Sequence, residues 1–210
     1  VFSAVTDPLG AKLVPTLKNP GGNVTGLSDM ANVREHLLLI KEFIPNLKIV
    51  GIPYNPGEAN SVSMLASMKI EAEKLSIKII ESAAPKSLDV MIAAKQLVGR
   101  VDAIYCPIDN TIISAVESVV KVGIDARVPV FSGDTDTVNR GAVAAVGYDY
   151  FDLGRQTGEI VIRILNGEKP GSIDVKTAKG TNLFVNPKMA TRMGIEVPAS
   201  VLKRASKIVD

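Results

Sequence analysis

Three segments hold the residues that could do chemistry: Phe2-Ser-Ala-Val-Thr-Asp-Pro8, Pro53-Tyr-Asn-Pro-Gly-Glu-Ala-Asn-Ser61 and Pro129-Val-Phe-Ser-Gly-Asp-Thr-Asp136. Each runs from β-branched or aromatic residues into small polar residues and acids, and a helix-like stretch follows. In open α/β sheets, ligands bind in the crevice beyond the carboxyl ends of the strands. The first segment offers Ser3, Thr6 and Asp7, the second Tyr54, Asn55, Asn60 and Ser61, and the third Asp134 and Thr135. Asp109 and Asn110 close another strand, and Tyr148 lies near a crossing between lobes. These are donors, acceptors and aromatic faces without a catalytic set, so they suit a binding crevice rather than an active site.

Each candidate also has a purely structural reading. Asp7, before Pro8, suits an N-cap, and Asn60-Ser61 can cap the helix after them. Capping and ligand binding are compatible, because the free N–H groups of a helix start attract a carboxylate. Asp134 and Asp136 have a spacing open to Mg²⁺, but Thr135 and Thr137 between and after them read as a polar loop capping the next helix. Tyr54, Tyr105, Tyr148 and Phe151 are each more at home in packing than in ligand stacking, though their convergence on one rim favours function. His36, the single histidine, is expected on a helix surface or between lobes. Cys106, the single cysteine, excludes a disulfide within the chain and reads as a buried structural thiol. No Walker A sequence occurs, and no G-x-G-x-x-G follows a strand, so no cofactor is expected.

The elements that must position these residues alternate. Strands are expected at Lys48–Pro53, Ile77–Ile80, Asp102–Cys106, Val128–Phe131 and Val143–Val146. Helices are expected at Val33–Phe43, Ser61–Leu75, Leu88–Val98 and Ile112–Gly123, with a short one at Thr137–Arg140. Strands alternating with helices of this length imply βαβ units, right-handed crossovers and a parallel sheet. This middle block, 29–145, reads as a complete doubly wound lobe 2. Residues 1–28 and 146–210 read as the remainder of lobe 1 with the hinge crossings. In that remainder the pattern predicts a strand at Val1–Val5, a helix over 9–17 and a long helix at Phe151–Leu165 ended by Asn166-Gly167. Extended pieces are expected at Asp174–Thr177 and Asn182–Val185, and short helices at Pro187–Met193 and Pro198–Val209.

A chain of 210 residues with 46% hydrophobic content can build a large core, and its net charge of +2 carries no Lys/Arg block. Electrostatics therefore give no reason to expect a nucleic-acid partner. No apolar run reaches the roughly 18 to 20 residues of a membrane span. The chain opens on Val1, directly on a strand pattern, so an earlier segment is expected to have been removed by processing or to lie outside this piece.

Five pieces carry a resemblance: Val1-Phe-Ser-Ala-Val-Thr-Asp-Pro8, Asn19-Pro-Gly-Gly-Asn-Val-Thr-Gly26, Tyr54-Asn-Pro-Gly-Glu-Ala-Asn-Ser61, Phe131-Ser-Gly-Asp-Thr-Asp136 and Gly147-Tyr-Asp-Tyr-Phe-Asp-Leu-Gly-Arg-Gln-Thr-Gly158. In order and spacing, the chain resembles the substrate-binding proteins of ABC transporters related to the tryptophan/tyrosine uptake lipoproteins. The resemblance implies an α/β, type I periplasmic-binding-protein fold of two doubly wound lobes joined by a hinge, with a solute closed between them. It implies an extracytoplasmic, periplasmic or lipid-anchored protein whose partners are a small solute and ABC permease subunits. It also implies a lobe 1 truncated at its N-terminus, because family members carry about another third of chain before this start. Edge exposed by that loss recruits other chains, so the chain alone is expected as an oligomer closed through lobe 1 or a partly disordered monomer.

An amino acid needs an acceptor for its ammonium, for which Asp134 is the choice, and donors for its carboxylate. Thr6 with adjacent amides, or Asn60 and Ser61, suit the latter, and Tyr54 or Tyr148 could pack on an aromatic side chain. Two other readings share the architecture: the effector-sensing domain of a LacI-type regulator, and a flavodoxin-like enzyme, which the missing catalytic set disfavours.

Overall fold

The computed structural model describes residues 1–209. In chain order its helices and strands are β1 (Leu27–Ser28), α1 (Val33–Phe43), β2 (Ile49–Tyr54), α2 (Ala59–Lys74), β3 (Lys78–Ala83), α3 (Val90–Leu97), β4 (Ala103–Cys106) and α4 (Asn110–Ser114). They continue with α5 (Val116–Ala126), β5 (Val130–Ser132), α6 (Asp136–Asn139), β6 (Ala144–Tyr148), α7 (Tyr150–Leu165), β7 (Lys176–Thr177), β8 (Thr181–Val185), α8 (Pro187–Arg192), α9 (Ala199–Arg204) and β9 (Lys207–Ile208). The chain forms two compact units, 1–31 with 148–181 and 32–147 with 182–210.

The second unit is built on a seven-stranded sheet in the order β3-β2-β4-β5-β6-β8-β9. The pairs β2–β3, β2–β4, β4–β5 and β5–β6 are all parallel. This is the expected doubly wound architecture. Its central strands are continuous apolar runs, because such a sheet is covered on both faces. Ile104, Tyr105, Cys106, Val130 and Phe131 are all buried. Pro53, which has no N–H to give a ladder, lies beyond the β2–β4 pairs Val50–Ala103 and Gly51–Ile104.

Helix α1 shows how the sequence specifies these layers. It buries Val33, His36, Leu37, Ile40 and Phe43, which is one helical face, and carries Glu35 in its first turn and Lys41 in its last. Both charges complement the helix dipole. Ile44 then leaves the helix ahead of Pro45, as the residue before a proline must. The helix expected over Ile112–Gly123 is interrupted at Ala115, which closes α4 and precedes α5.

Three expectations are corrected. The tail 182–210 belongs with the second unit and not with lobe 1. The Asn186 N–H donates to Val143 O at 2.8 Å, and the Val130 N–H reaches Met193 Sδ at 3.3 Å. Met193 and Val201 are fully buried. Within that tail, the helix expected over Pro198–Val209 ends at Arg204 and gives way to β9, parallel to β8. The third correction concerns Val1–Val5 and 9–17. The first run forms only a bridge from Phe2 to Gly26, because Ala4 has a φ of 54° and breaks the extended chain. The second is a series of turns, in which Lys12 has a φ of 56° and Pro8, Gly10 and Pro15 interrupt any helical ladder.

The first unit is smaller. Strands β1 and β7 pair in parallel, and the Phe2 bridge lies on Gly26, just before β1. Gly26 has no substitute there: a Cβ would lie 2.2 Å from Phe2 O. Helix α7 starts on Asp149, whose carboxylate accepts from the Phe151 and Asp152 N–H groups at 2.8 and 3.3 Å. It buries Leu153 and Ile160 against Leu27, Ile173 and Ala178, with Ala4, Tyr148 and Ile164 at the margin.

Candidate functional site

In the second unit, β3 and β4 lie on opposite sides of β2. The winding direction therefore changes between β2 and β4, and a crevice opens at their carboxyl ends. Five of the residues singled out from sequence, Asn55, Asn60, Ser61, Asp109 and Asn110, meet there, and they bond one another, Glu58, Thr111 and nearby backbone groups. Asp109 closes β4 and starts α4: its Oδ1 accepts the Ile112 N–H at 2.9 Å. Its Oδ2 accepts the Asn55 N–H at 2.6 Å and the Ser61 hydroxyl at 2.5 Å. The Asn60 amide donates to Ile108 O at 2.9 Å, and the Asn55 amide donates to Thr111 Oγ1 at 2.8 Å.

A residue the sequence reading passed over ties this network together. Glu58 accepts the N–H and side-chain amide of Asn110 at 2.9 and 2.7 Å, and the N–H and hydroxyl of Thr111 at 3.0 and 2.7 Å. Partial burial raises its pKa, but these four bonds outweigh that and hold the carboxyl at about 2, below its ordinary value. The start of α4, where a ligand carboxylate could have docked, is filled by the protein's own carboxylate. Asp109 goes the other way: burial pushes its pKa up, with Glu58 adding to the rise, against three donors that lower it. Asn60 and Ser61 do not cap α2, whose N-cap is Glu58.

At the carboxyl end of β5 the rim is less occupied. Among the described residues, the Asp134 carboxylate accepts only the Asp136 N–H, on Oδ1 at 3.0 Å, in the turn that leads into α6. Burial raises its pKa, and Asp136 adds to the rise while Arg140 opposes it. Thr135 is buried, and a Cβ on Gly147 would come within 3.4 Å of its methyl carbon. The turn is supported from beneath. His36 is buried, not at a surface, and its Nδ1 shares a hydrogen bond with Tyr105 Oη. A Cβ on Gly133 would sit 2.7 Å from that oxygen and 3.4 Å from His36 Cε1. Burial lowers the His36 pKa to about 4 and raises that of Tyr105, so the pair is neutral. Cys106, next along β4, is buried and its thiol is pushed up to about 12 by burial, then by Asp109. Tyr54, the last residue of β2, is half-buried.

In the first unit, Thr6 and Asp29 meet at 2.8 Å, the hydroxyl donating to the carboxylate, and both are buried. Ser28 Oγ donates to Thr6 O at 3.0 Å, and Tyr148 Oη donates to Met30 O at 3.3 Å. Asp7 turns back on its own loop, accepting the Gly10 N–H at 2.8 Å, so no helix is capped by it. Ser3 is exposed and bonds Thr157 Oγ1 of α7 at 2.8 Å. Asp29 was also missed, although it directly follows β1, and the strand-end rule applied to the other segments would have found it. Glu58 had no such signal, because Asn110 and Thr111, the partners that hold its charge, lie more than 50 positions away in the chain. Among the described residues, no group of three or more His, Cys, Asp or Glu is placed to hold a metal ion.

Comparison with known proteins adds a family. The model of the ABC transporter substrate binding protein family matches residues 1–209. A tyrosine-binding protein of Clostridioides difficile (strain R20291) is 37% identical over 186 residues, covering 89% of this chain and 54% of its own. The chain spans about half the length of the curated relatives it matches. A crystal structure of a conserved domain protein from Vibrio cholerae superposes with a TM-score of 0.95 at 48% identity, over 100% of this chain and 71% of that one. A domain from Streptococcus pneumoniae in complex with L-Trp superposes at 0.90 with 37% identity, over 99% and 72% of the two chains. The fold is that of the type I periplasmic binding proteins. A LacI-family regulator from Bifidobacterium animalis shares that fold alone, at a TM-score of 0.56 and 16% identity over 74% of this chain and 61% of its own.

Proposed function

The chain belongs to the family of ABC transporter substrate-binding proteins, and from that premise we propose that it is the solute-capturing component of an ABC importer and that its solute is an aromatic amino acid. The family binds solutes and does not catalyse, and it works outside the cytoplasm. Membership also favours this reading over a LacI-type effector domain. The observation that carries the choice of solute is the likeness, at 37% identity in each case, to a protein named for tyrosine and to a domain crystallised with L-Trp.

The residues assigned to the solute follow from what the network leaves free. Asn55, Asn60, Ser61, Asp109 and Asn110 are engaged with one another, with Glu58 and with Thr111, so their part is to fix the loops of the rim. Asp134, with a single backbone donor on its carboxylate, is the acceptor offered to an ammonium group. Tyr54 and Tyr148 provide aromatic faces. Permease subunits are the proposed partners, and attachment as a lipoprotein is the proposed anchorage.

Mass spectrometry of the purified protein tests the solute. After incubation with an equimolar mixture of amino acids and pentoses and removal of the excess, denaturation is expected to release tryptophan, tyrosine or phenylalanine. Release of a pentose with no amino acid would overturn the proposal.

A further inference from the structure

We propose that Asp29, at the carboxyl end of β1, is the acceptor that the first unit presents to the cationic amine of the solute. The assignment rests on the amino-acid reading and adds a residue to it. Three observations carry it. Asp29 directly follows β1, in a unit whose strands β1 and β7 are parallel; Thr6 bonds it, Ser28 holds Thr6 in turn, and Tyr148 bonds the carbonyl of the next residue, Met30. That is the end of a parallel sheet at which ligands bind.

Asp29 is also 3% exposed, yet its carboxylate receives only the Thr6 hydroxyl and its own N–H. A carboxylate can accept about four hydrogen bonds, so acceptor capacity remains. Finally, among the described residues no Lys, Arg or His forms an ion pair with it. Burial accordingly raises its pKa more than those two bonds lower it. Glu58 is the contrast, since its carboxylate receives six donors from Asn55, Asn60, Asn110 and Thr111. A buried acid so thinly compensated is costly unless a cation arrives to pair with it. A primary ammonium brings three N–H donors and one positive charge, which is what this carboxylate lacks.

The alternative is that Asp29 is only a strut tying Thr6 to β1. Calorimetric titration of the unchanged protein and of Asp29→Asn, each with tyrosine and with its deaminated analogue 3-(4-hydroxyphenyl)propionate, separates the two. If Asp29 takes the amine, the substitution weakens tyrosine by about 30-fold or more, as removal of one partner from a buried charge pair does. It then leaves the affinity for the analogue within about threefold, the scatter expected of changes that touch no shared partner. Equal losses for both ligands, or no loss for tyrosine, would overturn the assignment while leaving the amino-acid reading intact. Absence of any amino-acid binding by the unchanged protein would overturn both. Should Asp29→Asn fail to fold, Thr6→Val serves instead. Stripping that donor is expected to shift the tyrosine-to-analogue affinity ratio by about threefold or more, and an unchanged ratio would overturn the assignment.

Discussion

Asp134→Ala is expected to weaken solute binding by about 2–5 kcal/mol while lowering stability by only about 1 kcal/mol. The two figures differ because the carboxylate has two separable jobs. Within the fold it accepts one backbone N–H, from Asp136, and losing such a turn contact is a modest change. Toward an ammonium group it would be a charge-assisted partner in a partly desolvated rim, and removing it strips the ligand's charge of that carboxylate. The alanine protein should therefore melt close to the unchanged one yet lose at least about 30-fold in affinity by calorimetry. Full affinity with a lowered melting temperature would reduce Asp134 to a turn residue.

Glu58→Gln should produce the largest effect on stability, on the order of 2–3 kcal/mol near neutral pH. Hydrogen bonds to a charged group contribute about 1.5–3 kcal/mol each. Four of them share one carboxylate that is partly open to solvent, so the total is discounted well below their sum. The effect has a pH signature. The folded-state pKa of Glu58 is depressed to about 2 from an ordinary 4.5. Its contribution is therefore complete above about pH 4.5 and is lost as pH falls toward 2. Asp29, Asp109 and Asp134 have raised values, so their charges oppose folding at neutral pH and that cost is relieved on acidification. Denaturant melts of the two proteins between pH 6 and pH 3 isolate the Glu58 part. The gap between them should narrow by roughly half or more, and a constant gap would show that the carboxylate charge is not what ties the β2 and β4 loops.

The parts of this protein that were legible in its sequence are those set by local periodicity. Helix α1 announces its buried face at 33, 37 and 40 and its end at Pro45. The apolar runs of β2, β4 and β5 are long enough to read as buried parallel strands. What was illegible depends on distant partners. Strands β8 and β9 are short, and only pairing with β6 and with each other assigns the tail to the second unit. The Val1–Val5 run has strand composition, but one left-handed residue, Ala4, undoes it. At the site, polar composition marked the loops that follow β2, β4 and β5, but it could not show which groups are already spent. Asn55, Ser61 and Asp109 look like ligand donors and acceptors until their mutual bonds are seen. Nothing near Glu58 in the chain says that it crosses to the start of α4. A lone histidine on this helix reads as a surface or interlobe residue, whereas Tyr105 supplies the polar partner that lets the imidazole be buried.

The most direct test of the central claim is calorimetric titration of the purified protein with L-tryptophan, L-tyrosine, D-ribose and L-arabinose. One of the two aromatic amino acids should bind at a single site with a negative heat-capacity change, the mark of an apolar side chain being buried, while both sugars give only heats of dilution. Saturable binding of a sugar, with no response to either amino acid, would contradict the account.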